Sequence, residues 1–280
     1  MPVIAIVNSK GGSGKSTLAT HLAGHAASLG LAVMLGDVDK QKSTVGWLRR
    51  RAMEPSARKA PIVSWVADPQ KVMRPPTGVT HVVLDTPGGL RGFELARVVM
   101  SADAVLVPVC DSAFDRDAAA QAWAEISAHP RVSSGRCRVA IVGMRIDART
   151  RAEATLRAWA DAIGAPFLGV LRDTQGYVKC IERGLTIFDL PETKAASDRE
   201  QWAPILDWLD PVWAGHDLAS PSQAGALDEV APSLDPLEPP RVRVTPKPGA
   251  ARPVLAELAS ALVPSVPQRP TFFQRLFGTA

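Results

Sequence analysis

Residues 8–17, NSKGGSGKST, gather three glycines, two lysines and four hydroxyl side chains into ten positions. Gly11, Gly12 and Gly14 have no Cβ, so a loop built from them can wrap with its amide N–H groups turned inward onto an anion. Apolar residues 2–7 precede the loop as a short buried strand, and a helix over 17–30, closing at Gly30, follows it. The positive end of that helix would add to the cradle. Lys15 then supplies a point charge for the β- and γ-phosphates of a nucleotide, and Ser16 a hydroxyl ligand for Mg²⁺. Ser13 and Thr17 complete the nucleotide-binding run. Two further sets of carboxylates fall at predicted strand ends: Asp37 and Asp39 after residues 31–35, and Asp85 after residues 82–84. Carboxylates at the C-terminal ends of parallel strands face the ligand crevice, where they hold Mg²⁺ through water or orient an attacking water.

The pattern KGGSGKS, with Lys10 at its head, resembles the deviant Walker A ATPases of the ParA/MinD family, and the likeness extends over residues 1–210. The resemblance implies a P-loop NTPase that binds ATP and Mg²⁺ and dimerises when ATP-bound. Lys10 corresponds to the signature lysine, which in relatives reaches across a nucleotide-sandwich dimer to the partner's phosphates; Lys15 and Asp39 would share the catalytic work. Asp39 matches the water-positioning aspartate of a DxD-Pro-Gln switch, with Lys40 in place of the proline and Gln41 retained. Asp85 matches the Walker B aspartate, so Ser16, Asp39 and Asp85 form the implied metal set. Thr86, Pro87, Gly88 and Gly89 form a switch loop that senses the γ-phosphate. Where relatives often place an asparagine against adenine, this chain has Gly143, Met144 and Arg145, so ATP rather than GTP is implied by the resemblance alone.

Neighbouring families fit less well. Nitrogenase-type iron proteins carry a cluster cysteine after Walker B, and DTPGGLRGFELARVV has none. Bacterial tyrosine kinases of this fold carry a C-terminal tyrosine cluster, whereas the single tyrosine here is Tyr177. Biosynthetic relatives such as dethiobiotin synthetase generally lack the signature lysine, so Lys10 favours a dimerising switch over an ATP-dependent ligase.

The elements that must position these groups alternate along the chain. Strands are predicted over 102–109, 137–144 and 166–171, and helices over 115–129, 150–164 and 177–184, with a last core helix ending near Trp213. This rhythm predicts an α/β fold: a mostly parallel, doubly wound sheet covered by helices on both faces. Trp123 and Trp159 lie on apolar helical stripes and read as packing residues. The run Arg49, Arg50, Arg51 with Arg58 and Lys59 reads as a solvated helix end.

At 280 residues and 46% hydrophobic, the chain can bury one large core with a tail. No apolar stretch approaches the roughly 20 residues that span a bilayer, and the start shows no signal-peptide pattern, so a cytoplasmic protein is expected. Cys110, Cys137 and Cys180 are scattered without metal spacing and are expected as buried or half-buried thiols. The formal charge of +4 permits an anionic partner without naming one.

Partners are read from the second half. ParA-type relatives bind DNA non-specifically as ATP dimers through basic residues late in the domain, and here Arg172, Lys179, Arg183 and Lys194 are the candidates. Ordinary solvated helix faces would also account for them. Of the 24 prolines, eleven fall in residues 215–280, which separates a domain over 1–214 from a Pro-rich extended linker. Its end, TFFQRLFGTA, places Phe273, Leu276 and Phe277 on one helical face with Phe272 beside them, and looks like the membrane-targeting helix of MinD. A groove on a protein partner would suit the same residues. The expected activity is a slow ATPase, awakened by a ParB-like or other activating partner, that partitions DNA or positions a cargo over the nucleoid. A membrane-associated, MinD-like cycle is the alternative.

Overall fold

The computed structural model describes residues 1–38, 43–57, 59–66 and 77–215. In chain order the elements are β1 (Val3–Ile6), α1 (Lys15–Ser28), β2 (Val33–Asp37), α2 (Ser43–Met53), β3 (Ile62–Val66), β4 (His81–Asp85), α3 (Gly92–Ser101), β5 (Ala104–Val109), α4 (Ala113–Ser127), α5 (Pro130–Ser133), β6 (Arg138–Ile146), α6 (Ala152–Ala162), β7 (Phe167–Arg172), α7 (Gln175–Glu182) and α8 (Glu192–Trp213). The seven strands form one sheet in the order β3-β2-β4-β1-β5-β6-β7, parallel throughout. From β1 the chain runs out through β2 to β3 at one edge, returns as β4 beside β1, and then builds β5, β6 and β7 on the other side, which opens a crevice at the carboxyl end of β1.

Strand β1 shows why both faces are covered. Successive side chains point to opposite faces: Ile4 and Ile6 enter one core with Leu18 and Leu22 of α1, Trp47 of α2 and Trp202 of α8. Ala5 and Val7 enter the other, with Leu95 and Val98 of α3, Ile126 of α4 and Leu156 of α6. Burying each such leucine contributes about 2 kcal/mol. The expected doubly wound architecture is met. Helix α1 ends as its sequence requires, with Gly30 at φ 80° and the Leu31 and Gly30 amides donating to the carbonyls of Ala26 and Ala27.

Three expectations are corrected. The stretch before residue 80, basic and without a strand pattern in the sequence, contains β3, an edge strand partly exposed along its length, so the strands ending at Asp85 and spanning 167–172 are the fourth and seventh rather than the third and sixth. Its half-solvated side chains give a weaker pattern than the buried strands do. β2 runs two residues later than the sequence suggested, bringing Asp37 into the strand, level with Asp85 on its neighbour.

The third correction concerns the arginine run. Arg49 and Arg50 are exposed, as expected of a solvated helix end, but Arg51 is buried at 3% exposure. Its two terminal nitrogens each lie 2.9 Å from an oxygen of Asp189 and also donate to the carbonyls of Gly184 and Ala60. Asp189 in turn accepts from the amide and hydroxyl of Thr186. A guanidinium is tolerated in a core when a carboxylate and carbonyls meet its terminal donors in this way; the buried Nε of Arg51 is left without a partner among the described residues. Trp123, whose indole N–H donates to Ile163, and Trp159 pack on the second core, and the three cysteines are free, Cys110 half-buried and the other two buried.

Candidate nucleotide site

The loop between β1 and α1 is held at both sides by the strands' own groups. Asn8 is fully buried; its amide nitrogen donates to the carbonyl of Pro108 at 2.6 Å, and its oxygen accepts from Lys10 N at 3.0 Å. Ser9 Oγ donates to the Ala118 carbonyl on α4. The loop then needs φ values of 77° at Gly12 and 92° at Gly14, which L-residues with side chains adopt only under strain. Gly14 is the N-cap of α1, and the first turn of that helix has neither a side-chain cap nor an acidic residue. The positive end of the helix is therefore not neutralised within its own first turn.

These features surround a cavity of about 580 Å³. Gly11, Gly12, Gly14, Lys15, Ser16 and Thr17 form one wall; Thr86, Pro87, Gly88 and Gly89 form the facing one; Ser43 and Arg145 complete it. The two loops touch backbone to backbone. Gly89 N donates to Ser9 O at 2.6 Å, and a Cβ on Gly88 would stand 3.3 Å from the backbone of Gly11. Thr86 Oγ1 is tied back to the Ile6 carbonyl at 2.6 Å. Lys15 is buried, and its ammonium donates across the loop to the Lys10 carbonyl at 2.9 Å. Ser13 is the member of the run outside the lining; it is buried, with its hydroxyl on the Lys10 carbonyl.

The carboxylates divide. Asp85 is buried at the end of β4, in register with Ile6 and Asp37. Asp37 caps α2: its Oδ2 accepts from Thr44 N at 3.1 Å, Thr44 Oγ1 at 2.7 Å and Val45 N at 3.3 Å. Three donors on one oxygen make it an anchor for the start of α2, a task that the sequence reading of Asp37 did not include. Asp39, with Lys40 and Gln41, lies outside the described residues. The hard oxygen donors at hand, the Ser16 hydroxyl and the Asp85 carboxylate, suit Mg²⁺ with part of its water shell retained, and the Cβ-free cradle suits a phosphate chain.

Lys10 does not line the cavity. Its ammonium lies 2.6 Å from Asp115 Oδ1 at the start of α4. Burial pushes the Asp115 carboxyl up, but hydrogen bonds from Lys10 and Ser112 outweigh this and hold it below the usual carboxylate range. Sequence reasoning did not assign Ser43 or Arg145 to the phosphate cavity. Arg145 was visible only as a residue at the position where relatives place an asparagine.

A second cavity of about 220 Å³ adjoins the first, sharing Gly14, Thr17 and Arg145, with Met144, Leu171, Tyr177, Val178 and Ile181 among its apolar walls. Of the candidate DNA contacts, Arg172 is clamped by Asp198, Nε to Oδ1 at 2.7 Å, and Arg183 pairs with Glu54 at 3.2 Å. Lys179 and Lys194 are exposed. Phe272, Phe273, Leu276 and Phe277 lie outside the described residues, and among the described residues no helix is long and apolar enough to cross a membrane.

Comparison with known proteins places this geometry. The family described as the CobQ/CobB/MinD/ParA nucleotide binding domain matches residues 4–187. The maintenance of carboxysome distribution protein A of Gloeobacter kilaueensis is 27% identical over 219 residues, which is 75% of this chain and 95% of that protein. Among solved structures, apo McdA from Cyanothece superposes with a TM-score of 0.57 at 13% identity, covering 75% of this chain and 99% of that one. The MinD cell division protein of Aquifex aeolicus gives 0.54 at 20% identity, covering 71% and 94%. These two structural likenesses bear on the fold.

Proposed function

Because the chain belongs to the CobQ/CobB/MinD/ParA nucleotide-binding family, we propose that it is an ATP-dependent switch that dimerises when ATP-bound and positions a cargo or partitions DNA. The observation that carries this reading is the division between two lysines of one loop. Lys15 lines the phosphate cavity; Lys10, at the loop's head, points away from it to Asp115, at the start of α4. A lysine that does not serve its own cradle can turn to a partner's once it leaves Asp115. In the ATP dimer Lys10 acts in trans, Lys15 holds the β- and γ-phosphates, and Asp39 orients the attacking water. Mg²⁺ would be held by Ser16 and, through water, by Asp85 and Asp39, and would neutralise charge developing on the phosphates. Thr86–Gly89, seated on the P-loop backbone, reads the γ-phosphate and releases the dimer after hydrolysis. Turnover is slow until an activating protein, ParB-like or otherwise, engages the dimer.

The ATPase domain is assigned to residues 1–214 and a Pro-rich linker to 215–280. The Gloeobacter relative is named for carboxysome distribution, which supports cargo positioning in the cytoplasm, and non-specific DNA of the nucleoid is the proposed track. Lys179 and Lys194 are the exposed cations for it; Arg172 and Arg183 are already held by carboxylates. The aromatic ending Phe272, Phe273, Leu276 and Phe277 favours a second reading, a MinD-like membrane cycle.

Light scattering of the full chain tests the switch. ATP with Mg²⁺ should give a dimer and ADP a monomer, and Lys10→Ala should bind ATP but remain monomeric. If ATP leaves the wild type monomeric, or Lys10→Ala dimerises as readily, the switch is wrong and an ATP-dependent ligase becomes the better account. Co-sedimentation with duplex DNA and with anionic liposomes, with and without residues 265–280, separates the track. DNA binding that survives truncation supports the ParA-like reading, and liposome binding lost on truncation supports the membrane cycle.

A further inference from the structure

Arg145 has a φ of 56°, the one non-glycine residue among those described to lie in the left-handed region. A long side chain gains nothing from that conformation, so a strained backbone here points to a task for the side chain. The local pairing shows how the strain arises. Met144 pairs with Leu171 and Ile146 with Arg172, leaving Arg145 as the extra residue of a β-bulge at the carboxyl end of β6. Bulges beside functional sites redirect one side chain. Arg145 is the exposed residue of an otherwise buried strand end, and it lines both the phosphate cavity and the smaller apolar cavity.

The junction has a defined chemistry. A nucleotide with its phosphates in the polar cavity and its base in the apolar one must pass the shared residues Gly14, Thr17 and Arg145 where the phosphate chain meets the ribose. Arg172, the other cation of the smaller cavity, is already bound by Asp198, whereas among the described residues no carboxylate lies within ion-pair distance of Arg145. Nucleoside di- and triphosphates carry more negative charge than Lys15 alone offsets, and a guanidinium presents paired donors to phosphate oxygens.

We propose that Arg145 binds the phosphate nearest the nucleoside, holding ADP and ATP alike, in the place where relatives put an asparagine. This rests on the nucleotide reading of the cavity and adds a contact that is blind to the γ-phosphate. It makes Arg145 an affinity residue rather than part of the switch.

Calorimetric titration of the full chain with ADP and with ATP tests it. Arg145→Asn removes the guanidinium and tolerates a left-handed backbone, so its melting temperature should equal or exceed that of the wild type. Its affinity for ADP and for ATP should fall equally, by about tenfold, with Arg145→Lys recovering part of the loss. Two results overturn the assignment: wild-type affinity of Arg145→Asn for both nucleotides, or a loss confined to ATP, which would mark a γ-phosphate contact. Lys15→Ala distinguishes the two levels. If it abolishes binding while Arg145→Asn keeps wild-type affinity for both nucleotides, the nucleotide reading stands and this inference falls. If the wild type binds neither nucleotide, both fall.

Discussion

The ammonium of Lys10 stands 2.6 Å from Asp115 Oδ1, and Ser112 completes the arrangement by accepting from the Asp115 amide and donating to its other carboxylate oxygen. The head of the phosphate loop is thereby tied to the first turn of α4 within one chain. A Lys10 that acts on a partner's phosphates must leave this carboxylate, so the pair opposes dimerisation. Asp115→Asn keeps the shape and removes the charge. The Lys10 side chain is 38% exposed, so the pair itself contributes at most about 1 kcal/mol to stability. The expected result is a nearly unchanged melting temperature with ATP-dependent dimerisation at several-fold lower protein concentration, read by analytical ultracentrifugation. An unchanged dimer affinity would show that Lys10 is not restrained by Asp115.

Gly184 packs directly against the backbone of Arg50 and Arg51. A Cβ on Gly184 would stand 2.2 Å from Arg51 N and 2.6 Å from the Arg50 carbonyl carbon, and Gly184 itself has a φ of 74°. Backbone atoms cannot move aside as a side-chain end can. Gly184→Ala should therefore destabilise by about 3 kcal/mol or more. Arg51→Ala should cost about 3–5 kcal/mol, because Asp189 is left buried with a charge that Thr186 alone must satisfy. Urea denaturation followed by tryptophan fluorescence reads both, and a loss under 1 kcal/mol in Arg51→Ala would mean that Asp189 takes up a proton or water at little cost.

His21 gives the chain an acid-sensitive core. It is fully buried one turn below Thr17, its Nδ1 2.9 Å from the Thr17 carbonyl, stacked on Trp202 and edge-on to Tyr177. Burial lowers its pKa to about 4, against a smaller opposing effect of the Thr17 carbonyl. The unfolded chain binds a proton at this site near pH 6.5 and the folded one does not until about pH 4. Stability is therefore fully present above pH 6.5 and falls as the pH drops toward 4, by about 3 kcal/mol at the limit. His25, also lowered by burial, adds a loss of the same sign. His21→Asn, which can still donate to Thr17, should flatten the slope between pH 6.5 and 4.5; an unchanged slope would place the sensitivity elsewhere.

What the sequence showed and what it hid follow from the range of the interactions. The glycine-rich loop, the strand end at Asp85 and the buried strands were legible because glycine placement and apolar runs are local signals, and Gly11, Gly12 and Gly14 do line a cavity. β3 was missed because an edge strand with half its side chains in water resembles a loop. The burial of Arg51 depends on Asp189, 138 residues away, and neighbouring residues gave no sign of it. Asp37 and Asp39 both stood at a strand end in the sequence; the position of Thr44 shows that the first caps α2. Arg145 stood in view as a departure from the family pattern, but its bulge and left-handed backbone arise from the pairing with β7.

Gly88 tests whether the two loops act as one switch. A Cβ there would stand 3.3 Å from Gly11 Cα and N, tighter than ordinary contact and against atoms that carry the phosphate cradle. The P-loop backbone is fixed by the bonds of Asn8 and Ser9, so the strain of Gly88→Ala should be relieved by the 86–89 loop withdrawing a few tenths of an ångström. That shift stretches the bond from Gly89 N to Ser9 O but leaves Lys15, Ser16 and the α1 amides in place. Nucleotide affinity should stay within about threefold of the wild type, since the cradle is intact. Signalling should suffer: ATP-dependent dimerisation and hydrolysis should both fall by about tenfold, because a loop held off the cradle reads the γ-phosphate poorly. Paired calorimetry and steady-state phosphate release on Gly88→Ala separate the effects. Equal loss of ADP and ATP binding would show instead that the 86–89 loop is a wall of the nucleotide cavity and not its sensor.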